Sequence, residues 1–408
     1  MAKTKSPIKV PPMVLALILL SSLSAIGYGY LMVAISAYLP EVGVSSADVG
    51  LLMGASGAAM VVAAIPFGLL SDRYGRKWIL ILGTCLLPPT MFAFAFTTDI
   101  TVLLLAGILA GIAEGAILSS WNALIADNTT VDNRHLAFSV SFLVQGAATG
   151  LGFLLPFFFP FFEGAFHVSS PAMHEAAFFV MGFVTLLAGP LLYRLLRDYD
   201  DRMESQPWDR QRLGTPSMKR LKVFSINNFM IGLGAGFIIP IIATWMFIRY
   251  GTPDQFTGPM LAITSITIGF SAFFSTRVAA RFGPVKAIAI VQLSSTVFMV
   301  AIPFMPDPYL ASIMYFIRSA LMNMAGPILD SFLMTIVDKE DRGLASAINS
   351  IIWRLPNSVS TIAGGVMLAS GMLYLPFFIA AGLYSVAITA FYINFRPKTN
   401  ETPESSKA

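Results

Sequence analysis

The chain has 408 residues, 56% hydrophobic and only 12% charged, with a net charge of +4 and a mean hydropathy of +0.74. A soluble domain carries roughly a quarter of its residues as charges, so a chain this apolar needs the bilayer as its solvent. Its basic residues are scattered between apolar runs, which gives no nucleic-acid signal, and its single cysteine, Cys85, excludes an intrachain disulfide and reads as a small buried hydrophobe.

In chain order, apolar windows fall at 12–38, 47–70, 78–97, 100–126, 135–161 and 172–194. A second set falls at 223–249, 256–278, 285–304, 309–336, 343–369 and 372–395. Each reaches about 20 residues, enough to cross ~30 Å of hydrocarbon at ~1.5 Å per residue. A backbone in lipid must satisfy its own hydrogen bonds, so the windows predict helices. The alternation of an outer-membrane barrel is absent from the sequence. The first window follows Lys3, Lys5 and Lys9, as in a signal peptide, but lacks a small-residue cleavage site and reads as the first spanning helix. The predicted fold class is an all-α polytopic membrane protein of twelve helices in two pseudo-symmetric six-helix bundles. The bundles are expected at 1–194 and 223–396, joined by a polar cytoplasmic linker at 195–222 and followed by a polar cytoplasmic tail at 397–408.

Lysine and arginine set the orientation. With the N-terminus cytoplasmic, all but Arg249, Arg318 and Arg354 of the 26 basic residues fall in cytoplasmic segments. Both termini are therefore expected in the cytoplasm, in a cell (inner or plasma) membrane. An internal repeat appears at an offset of 208: Gly43 matches Gly251, Gly50 matches Gly258, Arg73 matches Arg281, Gly75 matches Gly283, and Arg134 matches Arg342. Repeated halves of like orientation are a transporter architecture.

The loop after the second window reads Gly68-Leu69-Leu70-Ser71-Asp72-Arg73-Tyr74-Gly75-Arg76-Lys77. It resembles the signature loop of the major facilitator superfamily, G-x-L-[AS]-D-R-x-G-R-[KR]. A worn copy, Ala279 to Lys286, follows the eighth window, with Ala280 in place of the acid. With twelve windows, linker and repeat, the resemblance covers the whole chain. A topological basic turn alone would explain Arg73, Arg76 and Lys77, but not Asp72 or the spaced glycines. Physically, Gly68 permits close helix approach, Gly75 a tight turn, and Asp72 suits a positive helix N-terminus. The resemblance implies a gating role for Gly68, Asp72, Arg73, Gly75 and Arg76, with Asp72 meeting the start of the eleventh helix near Arg342 to Ser346. The Gly-Pro pattern of drug–proton antiporters is broken here, because Pro156 stands apart from Gly152, and Gly107 stands where many proton-coupled members carry arginine.

Ionisable groups within a span are costly and mark candidate sites. Glu114 lies near the middle of the fourth helix, between the glycines Gly107, Gly111 and Gly115, whose spacing reads as a packing stripe. It could carry a proton, bind a cationic substrate, or make a structural hydrogen bond. Arg318 lies in the outer half of the tenth helix with no obvious partner in its half, and suits an anion. Asp330 lies in the inner half of the same helix. Arg354 shares a face with Asn357 and Thr361 and suits a carboxylate or phosphate, or an ion pair with Asp330 about 6 Å away in depth. Tyr28, Tyr30, Asn122, Asn227, Asn228 and Asn323 complete the candidate cavity. Trp245 and Tyr250 read as interfacial anchors. His135, His167 and His174 fall in or beside loops, which argues against a histidine proton relay.

The expected function is secondary active transport of a small solute by alternating access, coupled to protons, with a small organic anion as substrate. The alternative is a proton-coupled efflux pump for amphipathic or cationic drugs. A reading from another class is a non-transporting sensor on a transporter scaffold. No enzymatic activity, cofactor or metal is expected: the spans hold no H-E-x-x-H cluster and no G-x-x-x-x-G-K-[ST] loop. The chain is expected to act as a monomer.

Overall fold

The computed structural model describes residues 9–197, 199, 216–338 and 342–396. Twelve helical rods are seen among them. α1 is Pro12–Glu41, α2 Ser46–Tyr74, α3 Arg76–Phe96 and α4 Ile100–Asp127. α5 is Val131–Leu154, continued by a 3₁₀ turn Leu155–Phe158 and a short helix Phe159–Phe166; α6 is Ser170–Leu195. α7 comes in two segments, Pro216–Gly236 and Ile242–Tyr250. α8 is Asp254–Phe282, α9 Pro284–Ala301, α10 Pro308–Ile336, α11 Arg342–Ala369 and α12 Leu375–Phe395. Each expected window has its helix. Most of the expected linker, 195–222, and the whole tail, 397–408, lie outside the described residues.

Eight of the rods are long and apolar enough to cross a membrane on that criterion alone. The rods not among them are α7, α8, α10 and α11. Their polarity has visible sources. α7 carries Asn227 and Asn228 and is broken after Gly236, α10 carries Arg318, Asn323 and Asp330, and α11 carries Asn349, Arg354 and Asn357.

The repeat in the sequence is a repeat in the structure. In the first half α2 packs on α4, α1 on α5, α3 on α4, α3 on α6 and α1 on α6. In the second half α8 packs on α10, α7 on α11, α9 on α10, α9 on α12 and α7 on α12. The helix ends repeat too. The Asp99 carboxylate accepts from the amides of Thr101 and Val102 to start α4, and Asp307, 208 residues on, accepts from Tyr309 and Leu310 to start α10. Gly75 and Gly283 both turn the chain with positive φ, 104° and 75°, where a side chain would be strained.

Two seams join the halves, α2 against α11 and α5 against α8. Backbone meets backbone along both. A methyl on Gly50 would meet the Gly365 Cα at 2.8 Å, and one on Gly54 would meet the Ser358 carbonyl at 2.6 Å. In the other seam the Gly258 position is filled by the Phe153 carbonyl. These approaches lie toward the face that carries Glu41. On the face that carries Asp72, Asp72 and Arg73 are exposed and Gly68 has open space beside it.

Three local expectations are corrected. Cys85 is exposed rather than buried, because its neighbour on α6 is Gly189, which has no side chain to cover it. Trp245 is fully buried. Its indole N–H donates to the Leu373 carbonyl at 2.9 Å and its ring meets Phe377 edge-on, so it packs α7 against α12 instead of anchoring at an interface. His174 sits within the first turns of α6 and is 1% exposed, not in a loop.

Candidate functional site

A cavity of about 360 Å³ opens within the second half, and all its lining residues belong to α7–α12. Arg318 of α10 reaches into it from a buried position, 3% exposed. Its Nη2 donates to the Tyr384 hydroxyl at 2.8 Å, and its guanidinium lies 5.7 Å from that ring's centre. Ser295 holds the local backbone by donating to the Arg318 carbonyl at 3.0 Å. Nε of Arg318 is buried without a partner. The other polar groups lining the cavity are neutral, and include Tyr315, Tyr384, Gln292, Asn228 and Asn357. No carboxylate among the described residues lines it.

A guanidinium removed from water costs several kcal/mol unless its charge is met. Here a phenol and a ring face meet it in part, and the Nε–H is left buried without a partner. That arrangement can accept an oxyanion through charge-assisted hydrogen bonds. Trp353, Met322 and the tyrosines add apolar and aromatic wall.

The candidate residues from the sequence separate into two groups. Arg318 and Asn357 share the cavity, and Asn357 donates to the Gly232 carbonyl at 3.3 Å. Glu114 and Tyr28 form a second group in the first half, each within side-chain hydrogen-bonding reach of the other. Arg354 of the other half is near enough for its charge to act on both, and it donates to the Met60 sulfur at 3.4 Å. Arg354 thus faces the first half across the seam. No ion pair joins it to Asp330 among the described residues; Asp330 is exposed. Asn122 is also exposed and apart from the cavity. The glycine stripe of α4 packs as read: Gly111 takes the Ser56 carbonyl and Gly115 the Met60 carbonyl.

In the signature loop, Arg76 pairs with Asp127 at the end of α4. Asp127 also accepts from the Tyr199 hydroxyl at 3.2 Å, and Lys77 donates to the Tyr199 carbonyl at 3.0 Å. The loop is thereby tied to its own half. Asp72 has no hydrogen bond or ion pair among the described residues. Of its expected partners near Arg342 to Ser346, the side chains of residues 342–344 are outside them.

Sequence reading missed Tyr384, Tyr315 and Gln292. Gln292 was discoverable as a lone amide in the apolar run of α9. The tyrosines carried no signal, because an aromatic in a span reads as packing.

Two pseudo-symmetric helical bundles, apolar outside and with a cavity around a buried arginine in the second, define a membrane transport protein. The sequence profile described as Major Facilitator Superfamily matches residues 17–224 and again 224–408. The chain belongs to the major facilitator superfamily. It is 23% identical over 350 residues to the quinolone resistance protein NorA of Staphylococcus aureus (strain COL), covering 84% of this chain and 86% of that one. It is 24% identical over 253 residues to an uncharacterised MFS-type transporter of Methanocaldococcus jannaschii, covering 59% and 61%. Among solved structures, the nucleoside transporter NupG superposes with a TM-score of 0.73 at 15% identity, covering 95% of this chain and all of that one. A D-xylose-proton symporter superposes with a TM-score of 0.70 at 17% identity, covering 95% and 99%.

Proposed function

We propose that this transporter moves a small organic anion by alternating access, coupled to protons. The observation that carries the reading is Arg318, a buried cation in a cavity lined by no carboxylate among the described residues, with Nε unpartnered. An anionic substrate supplies the missing charge, and Gln292, Asn228 and Asn357 supply neutral hydrogen-bonding partners for the rest of it. Glu114, with Tyr28 and Arg354 beside it, is the proton carrier in this reading. It lies apart from the cavity, so proton and substrate occupy different halves. In this reading Asp72, Arg73 and Arg76 form the latch, on the face that the distribution of lysine and arginine makes cytoplasmic. The protein acts as a monomer in the cell membrane.

A second reading is efflux of amphipathic or cationic drugs. It is favoured by the similarity to NorA and by the aromatic and methionine wall of the cavity. Thermal stabilisation of the detergent-purified protein separates the two. A ligand at ~100 times its Kd adds about 2.7 kcal/mol of apparent stability. Small carboxylates and phosphates are expected to raise the melting temperature of wild type and not of Arg318→Ala. If lipophilic cations alone raise it, and Arg318→Ala responds as wild type does, the anion reading is wrong.

A further inference from the structure

We propose that His174, Asp254 and Glu41 form a proton-binding latch that holds the Glu41 face shut. The proposal rests on the alternating-access reading and goes beyond it, because no part of the substrate cavity or of the Glu114 group takes part.

The cluster lies where the halves meet. His174 belongs to α6 and Asp254 to α8, and their side chains are 1% and 0% exposed. His174 Nε2 and Asp254 Oδ2 are 3.0 Å apart, off the line of a ring N–H, and neither Nε2 nor either Asp254 oxygen has a hydrogen-bond partner. The Asp254 amide donates to Glu41 Oε1 at 2.5 Å, which brings a second carboxylate to the same spot. The imidazole lies flat on Tyr38, with ring centres 3.5 Å apart, and Phe159 closes its edge. Glu175, next to His174 and exposed, acts electrostatically on Tyr38 together with Asp254 and Glu41. The titratable groups around the cluster are therefore Tyr30, Tyr38 and Glu41 from α1, Glu175 from α6 and Asp254 from α8. No lysine or arginine acts on Tyr30, Tyr38 or Glu41 among the described residues.

Proton counting follows from Tyr30. Its hydroxyl oxygen, which carries one proton, lies 3.0 Å from His174 Nδ1 and 3.2 Å from the His174 carbonyl oxygen. A carbonyl can only accept, so when the hydroxyl donates there, its oxygen accepts from Nδ1–H. Nε2 then faces the Asp254 carboxylate, and contact between them requires one proton more than a neutral ring and an ionised acid hold. If the hydroxyl donates to Nδ1 instead, the Nε2–H of a neutral imidazole faces the Asp254 carboxylate, which has Glu41 at its amide and no cation to balance either charge. A buried carboxylate so placed is unstable. The closed seam is thus the state that holds the extra proton. Glu175 marks its entry from water. Protons captured on this face favour closure, and their loss favours opening.

The test uses full-length protein in lipid nanodiscs, with Cys85→Ala and spin labels at Thr98→Cys and Met372→Cys, on loops of the two halves at this face. Electron–electron distance measurements run from about pH 5.5 to about pH 8.5, a range that brackets neutral pH. One linked proton changes the open-to-closed ratio up to about tenfold per pH unit, with the long distance growing as pH rises. Asp254→Asn should hold the short distance at every pH. Glu41→Gln keeps the acceptor and removes a negative charge, so the transition should move to lower pH. A wild-type distribution that changes with an anionic ligand but not with pH sinks the latch alone. One that answers neither sinks alternating access as well. If Asp254→Asn does not fold, an unmoved transition in Glu41→Gln overturns the latch.

Discussion

Thr244 Oγ1 donates a 2.6 Å hydrogen bond to the Ser36 carbonyl, and the two residues stand 208 positions apart. That separation is the offset of the internal repeat, so the bond joins a position to its own image. A contact between equivalent positions lies on the axis that relates the halves. Thr244→Val keeps the shape and removes the donor. The expected cost is about 1 kcal/mol to the state closed at the Glu41 face, or roughly a fivefold shift toward opening. Spin-label distances across that face measure it.

Tyr384→Phe should weaken anion binding without emptying the cavity. The ring stays under the guanidinium, but Nη2 loses its acceptor and its orientation. A loss of about 1–1.5 kcal/mol corresponds to roughly tenfold in Kd. Isothermal calorimetry with the anion found by thermal shift checks it. An unchanged Kd means Tyr384 does not position Arg318.

Glu114→Gln should abolish proton-driven accumulation in proteoliposomes while leaving ligand-induced stabilisation intact, because the carboxylate and the cavity lie in different halves. Loss of both together would place them in one site.

Gly111→Ala and Gly365→Ala should differ in kind. Gly111 packs against Ser56 inside the first half, so the added methyl strains a fold unit and should lower stability by about 1–3 kcal/mol. Gly365 packs against Ser46 and Gly50 across the seam, so there the halves can part instead. Its melting temperature should fall less and its Glu41 face should open.

Asp72→Asn should slow transport yet leave the melting temperature of this state within the change expected of an exposed site, about 0.5 kcal/mol. Asp72 is exposed here, and the proposed latch gives it its partner in another conformation.

The helices were legible because lipid leaves a backbone few options: length and apolarity alone marked eight of the rods, and the repeat with a looser apolar window marked the rest. The repeat and the signature loop carried the family. Arg318 was legible because a charge in a span has no cheap explanation. Arg354 was legible as a candidate, but its direction was not. Depth along a helix follows from counting, whereas facing the first half rather than Asp330 depends on how α11 rotates against α2. His174 was misread for a similar reason. A residue near a helix start looks solvated in sequence, and only the approach of α8 encloses it. Tyr384 and Gln292 became a site through convergence of α9, α10 and α12, which no local pattern encodes.

The glycine contacts between α2 and α11 have a mechanical meaning. Where Gly50 faces Gly365 the rods touch through bare backbone, while at Gly54 and Gly57 the Ile362 and Ser358 side chains reach across. The bare stretch behaves as a plain bearing. There one rod can roll on the other with few rotamers to withdraw and reseat, so friction is low. The resistance to switching is then concentrated in the few polar clasps at its ends. This is why exchanging one or two hydrogen-bonding groups there should change the speed of the whole cycle.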